Sequence, residues 1–155
     1  METFYKLEFK GLVRHVLKCS GSTDVDEARD AVQTAFAEAF VMWEEIEYPK
    51  AWLRKVALRE YYRRPAPQPI AEVPDTTLLD DVATRTEAAR EEMLVCATLQ
   101  SLPFKQRQAL AWTFDGFSPK EIAKELGVDP AAVRQNIAKG RRKLRTLLAE
   151  QSEGE

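Results

Sequence analysis

Ten positions, 134–143, hold Arg134, Gln135, Lys139, Arg141, Arg142 and Lys143 within the stretch "DPAAVRQNIAKGRRKLRTLL". Cations at this density displace condensed counterions from phosphates. That chemistry is recognition of a polyanion rather than the making or breaking of bonds. No nucleophile–base pair, phosphate-cradling glycine loop or metal-ligand spacing stands elsewhere in the chain. His15 is the single histidine and reads as a surface or partly packed side chain within a helix; Cys19 and Cys96 stand far apart, without C-x-x-C spacing. The reading is therefore of a protein that is not an enzyme, with no cofactor and no metal site. Two lone cysteines also suit a reducing, cytoplasmic setting.

The basic stretch sits oddly in a 155-residue chain of net charge −2. The charge is segregated. Residues 1–49 carry 5 basic and 10 acidic side chains, whereas 50–64 carry 6 and 1; 65–117 carry 4 and 8, and 118–149 carry 8 and 3. Two basic segments of net +5 thus alternate with acidic ones, the footprint of two phosphate-binding surfaces. No apolar run approaches the roughly 20 residues that span a bilayer, and "METFYKLEFKGL" lacks the apolar core of a signal peptide. No membrane insertion is expected, and no further domain after the basic helix.

The elements that must position these cations are helical. Phe4, Leu7, Leu12, Val16 and Leu17 recur at helical spacing up to the break at Gly21–Ser22. Asp24, with Glu27 three residues on, opens a second helix in the manner of a capping box. Its apolar face is Ala28, Val32, Ala35, Phe36, Ala39, Phe40 and Trp43. A third helix starts near Pro49, carries Trp52, Leu53, Val56 and Ala57 inward, and ends before Pro65. Prolines at 65, 67, 69 and 74 then mark an extended linker. Further helices are expected from about Thr84 to Leu102 and over "LPFKQRQALAWTFDG". The fold class is all-α: two small helical domains, 1–64 and 84–155, joined by a flexible acidic linker at 65–83.

The last elements carry the motif. Ser118, Pro119 and Glu121 combine an N-cap, a first-turn proline and a capping-box carboxylate. Gly127 ends that short helix, and Asp129–Pro130 repeats the cap-and-proline signal. Ile122, Ala123 and Leu126 face inward from the first helix; Val133, Ile137, Gly140, Leu144 and Leu147 or Leu148 do so from the second. This is a helix-turn-helix, whose second helix enters the major groove of DNA.

"LPFKQRQALAWTFDGFSPKEIAKELGVDPAAVRQNIAKGRRKLRTLL" resembles the promoter-binding C-terminal domain of extracytoplasmic-function (ECF) sigma factors. "DEARDAVQTAFAEAF" is similar to the polymerase-binding helix of that family, and "YPKAWLRKVALREYYRR" to its −10-reading helix. The resemblance covers nearly the whole chain. It implies a subunit that directs core RNA polymerase to promoter DNA, with an anti-sigma factor as a further partner. The alternatives are a stand-alone helix-turn-helix regulator and a sigma-like protein-interaction module.

Carried over residue by residue, the resemblance implies polymerase contacts at Asp30, Gln33 and Thr34. It implies −10 contacts at Lys50, Arg54, Lys55, Arg59, Arg63 and Arg64, with Arg59 standing where the family often has Asn. Tyr48, in the acidic loop "EEIEYP", is the ring on which a flipped-out base would stack. At the −35 element, Arg134 and Gln135 are the base-edge candidates, since Arg pairs with guanine and Gln with adenine. Lys139, Arg141, Arg142 and Lys143 are expected on phosphates, and Ser118 and Lys120 at a helix N-terminus that holds one. By analogy the linker, with Glu72, Asp75, Asp80 and Asp81, threads the path later taken by RNA.

Overall fold

A computed structural model describes residues 2–63 and 96–153, with the side chains of 151–153 outside it. The linker, its four acids, Arg64, Pro65 and the start of the helix expected from Thr84 all lie outside the described residues. The described elements are helical throughout. They are α1 (Glu2–Ser20), α2 (Val25–Val41), a short 3₁₀ turn (Trp43–Glu45), α3 (Pro49–Arg63), α4 (Phe104–Phe114), α5 (Pro119–Leu126) and α6 (Pro130–Glu153), with a helical stretch at 96–99.

α1, α2 and α3 pack on one another around Leu12, Val16, Val32, Ala35, Phe36, Leu53 and Ala57. Alanines on α2 let its neighbours approach closely. Phe36 fills the end of this bundle, with the rings of Tyr5 at 4.8 Å and Phe4 and Phe9 at 6.4 Å. α4 lies against both α1 and α6, and α5 packs on α6 and touches α3. Leu12 to Leu58 and Leu99 to Ile137 therefore belong to one continuous apolar cluster. The two helical groups expected from the sequence are present, and they are folded onto each other.

Local signals behave as their chemistry requires. The Asp24 carboxylate accepts from Glu27 N–H at 3.1 Å, but the other half of the box is replaced: Asp24 N–H donates to Ser22 Oγ at 3.0 Å. Two apolar residues depart from the expected stripes. Leu7 is 75% exposed; five residues from Leu12, it lies about 140° round the helix from it. Phe40 is 48% exposed and leans on Phe36 from the rim of the bundle.

α4 and α6 meet at Gly140. A Cβ there would stand 2.6 Å from Leu110 Cδ1 and 3.2 Å from its Cγ, and Leu110 is itself buried. Gly140→Ala regains helix propensity that partly offsets the crowding. Gly140→Val adds two more carbons and a β-branch. It should lower stability by roughly 1–3 kcal/mol, read as a shift of the urea midpoint without a change in m-value.

Candidate nucleic-acid interface

The helix-turn-helix is built by its caps. Ser118 Oγ accepts from Glu121 N–H at 3.2 Å while Ser118 N–H donates to the Glu121 carboxylate at 3.0 Å, a complete capping box. Donation from the Ser118 N–H, first of all, holds the exposed Glu121 carboxyl below its ordinary value. Gly127 sits at φ +68°, the left-handed turn that lets the chain reverse. Asp129 Oδ1 then accepts from Ala131 N–H at 2.9 Å to start α6. Ile122, Ala123, Val133 and Ile137 are buried between the two helices, and Gly140 against α4. Leu144 and Leu147 are only half-buried and Leu148 is exposed, so the far end of α6 projects past the core.

This packing leaves one face of α6 to solvent. Arg134, Gln135, Lys139, Arg141, Arg142 and Lys143 are all exposed along it. The N-terminus of α5 is less open to an anion than its position suggests. Pro119 has no N–H, the Ser118 N–H is taken by Glu121, and that carboxylate adds a negative charge there. The side chain of Lys120 is the cation that remains.

The −10 candidates are arranged differently. Lys55 is exposed. Arg59 reaches Glu38 at 2.9 Å and Glu60 at 3.3 Å; Arg63 also meets Glu60 at 3.3 Å. The Arg59–Glu38 pair lies at the surface, where such pairs hold weakly and yield readily to a phosphate, whereas Glu60 is buried. Lys50 lies 3.6 Å from Glu8. Tyr48 is 56% exposed, with Lys124 Nζ 5.3 Å from its ring centroid. Tyr48, Lys50, Lys120 and Lys124 line one groove of about 560 Å³ with Phe4 and Phe117. Residues carried over to two separate DNA elements thus share a wall.

Arg54 is the exception among them. It is 6% exposed, and its Nε donates to Asp115 Oδ2 at 3.0 Å across the seam between the helical groups. The same carboxylate oxygen lies 2.7 Å from His15 Nδ1. Nothing local marked Asp115, which follows α4 in a turn, nor tied His15 to it. Of the polymerase-facing candidates, Asp30 and Gln33 are exposed, and Thr34 Oγ1 donates to the Asp30 carbonyl at 3.0 Å. Gln33 borders a shallow apolar groove with Tyr5, Phe36, Ala37 and Phe40.

Known proteins resemble this chain in sequence and in fold. The domain described as "Sigma-70, region 4" matches residues 93–144, which span α4, α5 and most of α6. The ECF RNA polymerase sigma factor SigM of Mycobacterium tuberculosis is 30% identical over 141 residues, 86% of this chain and 70% of that protein. The chain belongs to the ECF sigma factor family. The RNA polymerase sigma factor SigZ of Bacillus subtilis is 32% identical over 104 residues, 63% of this chain and 57% of SigZ, so the alignment takes in little more than half of that relative. The sigma factor RpoE of Bartonella quintana, solved in complex with the anti-sigma factor NepR, has the same fold. It superimposes with a TM-score of 0.67 over 96% of both chains at 19% identity. In this ECF sigma factor no described helix is long and apolar enough to cross a membrane.

Proposed function

We propose that this chain directs core RNA polymerase to specific promoters in the cytoplasm, supplying recognition and strand opening while the polymerase supplies the chemistry. The observation that carries the reading is the unobstructed basic face of α6 behind a fully capped helix-turn-helix. Residues 1–64 serve the polymerase and the −10 element, 84–155 the −35 element, with 65–83 joining them. Arg134 and Gln135 read base edges; Lys120, Lys139, Arg141, Arg142 and Lys143 hold phosphates. Tyr48, Lys50, Lys55, Arg59 and Arg63 meet the −10 element, and Arg54 joins them once it is released from Asp115. A protein of the NepR kind, which RpoE binds, is a further partner.

Run-off transcription with purified core polymerase on a promoter library tests the reading. Sequence-dependent transcripts that need this chain are expected; DNA binding without any effect on polymerase would replace it with a stand-alone regulator. The exposed polar edge of α2 gives a narrower test. Alanine at Asp30, Gln33 and Thr34 together should cut capture of core enzyme by roughly tenfold or more, as loss of a small cluster of interface contacts does. The circular dichroism spectrum should stay unchanged, because none of the three is in the core. Undiminished capture by the folded variant would remove the site.

A further inference from the structure

The His15–Asp115–Arg54 cluster is the polar centre of the seam between the two helical groups. His15 is not the surface or partly packed side chain expected from the sequence: α4 covers it completely, with Trp112 edge-on at 5.3 Å. Its Nδ1 donates to Asp115, which leaves Nε2 as an acceptor facing Cys19 Sγ at 3.4 Å. Burial pushes the Cys19 thiol up, so it stays protonated and can donate to Nε2. The chain is complete when His15 is neutral: the thiol donates to the imidazole, the imidazole donates to the carboxylate, and Arg54 donates to that carboxylate from the other side.

Further contacts cross the same seam. Arg107 of α4 donates to the carbonyls of Cys19 at 2.7 Å and Ser20 at 3.3 Å, capping the end of α1 with a cation. Lys18, almost wholly buried, places Nζ 3.7 Å from the ring centroid of Phe114.

We propose that His15, Asp115 and Arg54 form a proton-sensitive latch, which holds the helix-turn-helix half closed on the N-terminal half and withholds Arg54 from DNA until His15 gains a proton. A proton at Nε2 would end the thiol's donation and leave the imidazolium only the weakly accepting sulfur of Cys19. Burial is the main influence holding His15 below its ordinary value; the cations of Arg54 and Lys18 add to it, and Asp115 opposes it. Burial pushes the Asp115 carboxyl up, but the His15 hydrogen bond and the Arg54 guanidinium outweigh it and keep it ionised. Separation of the halves takes Trp112 and Asp115 away and returns His15 to water. The open form then binds a proton more readily than the closed one. Closure is at full strength above the open-state value near 6.5 and weakens as pH falls below it. The opening equilibrium rises by up to about tenfold per pH unit there.

The withholding of Arg54 rests on the promoter-binding reading, while the latch itself does not. Small-angle scattering of the full chain at about pH 7.5 and about pH 5.5 reads the latch. The wild type should expand at the lower pH while its circular dichroism stays helical. His15→Gln, a neutral donor to Asp115, should stay compact at both, and Asp115→Ala should be expanded at both. His15→Asn repeats the first variant if the glutamine does not fold. A wild type of unchanged size, a glutamine or asparagine variant that expands like the wild type, or a compact Asp115→Ala would each overturn the latch. Binding of a promoter duplex at about pH 7.5 reads the masking. Asp115→Ala should bind roughly threefold or more tighter than wild type. An expanded variant with unimproved binding would overturn the masking and leave the latch. Failure of both proteins to support transcription with core polymerase would instead sink the promoter reading.

Discussion

Alanine at Arg134 or Gln135 should relax base preference at one or two positions of the −35 element and leave preference elsewhere intact. Both side chains are exposed on the first turns of α6, just beyond Val133, which is buried and fixes the helix's rotation. In a docked helix-turn-helix the first turns of the second helix face base edges. A bidentate pair there is worth about 1–3 kcal/mol of discrimination, or roughly 5- to 150-fold. The same substitution at Lys139, Arg141, Arg142 or Lys143 should act otherwise. It should weaken all sequences alike and lower the salt slope by about one. Binding measured across a library of −35 variants at two salt concentrations separates the patterns. A uniform loss on replacing Arg134 and Gln135 would show that these two residues also hold phosphates.

The second large effect is mechanical. Insertion of about five base pairs between the −10 and −35 elements turns one element to the opposite face of the duplex. Transcription should then fall by about 10²-fold or more, because two weak contacts made by linked sites gain that much from acting together. Two separate basic surfaces make the prediction: the face of α6, and Lys50, Lys55, Arg59 and Arg63 on α3. Indifference of run-off transcription to the spacer would mean that the two surfaces do not engage one promoter at once.

What could be read from the chain follows from the range of the forces. The caps of α5 and α6 were readable because Ser118, Pro119, Glu121, Gly127 and Asp129 act on backbone groups two or three residues away. Gly140 was placed on the buried stripe by periodicity, and α4 is what it packs against. The seam was not readable. His15 and Asp115 lie 100 positions apart, and a histidine among Val13, Val16 and Leu17 gives no sign of which carboxylate will meet it. Arg54 read as one more cation in a basic run, because charge counting cannot tell an exposed guanidinium from one folded under a neighbouring helix. Arg107, similarly, carries no local mark of the helix end it caps in the other half.

Arg54 is 6% exposed, enclosed by Asp115, Glu8 and the Lys50 carbonyl, so a phosphate reaches it only once the seam has opened. Closure and the Arg54 contact with DNA are therefore competitors, and the part of the free chain's affinity that depends on Arg54 scales with the fraction of molecules that are open. With 99 parts in 100 closed, the Arg54 contact is made by about one molecule in a hundred. Any partner that prefers the open form raises that fraction without touching the duplex, and one that prefers the closed form lowers it without covering a single base-reading side chain. The free-energy difference between two packings of the same helices then sets the ceiling on what an opening partner can add to that contact.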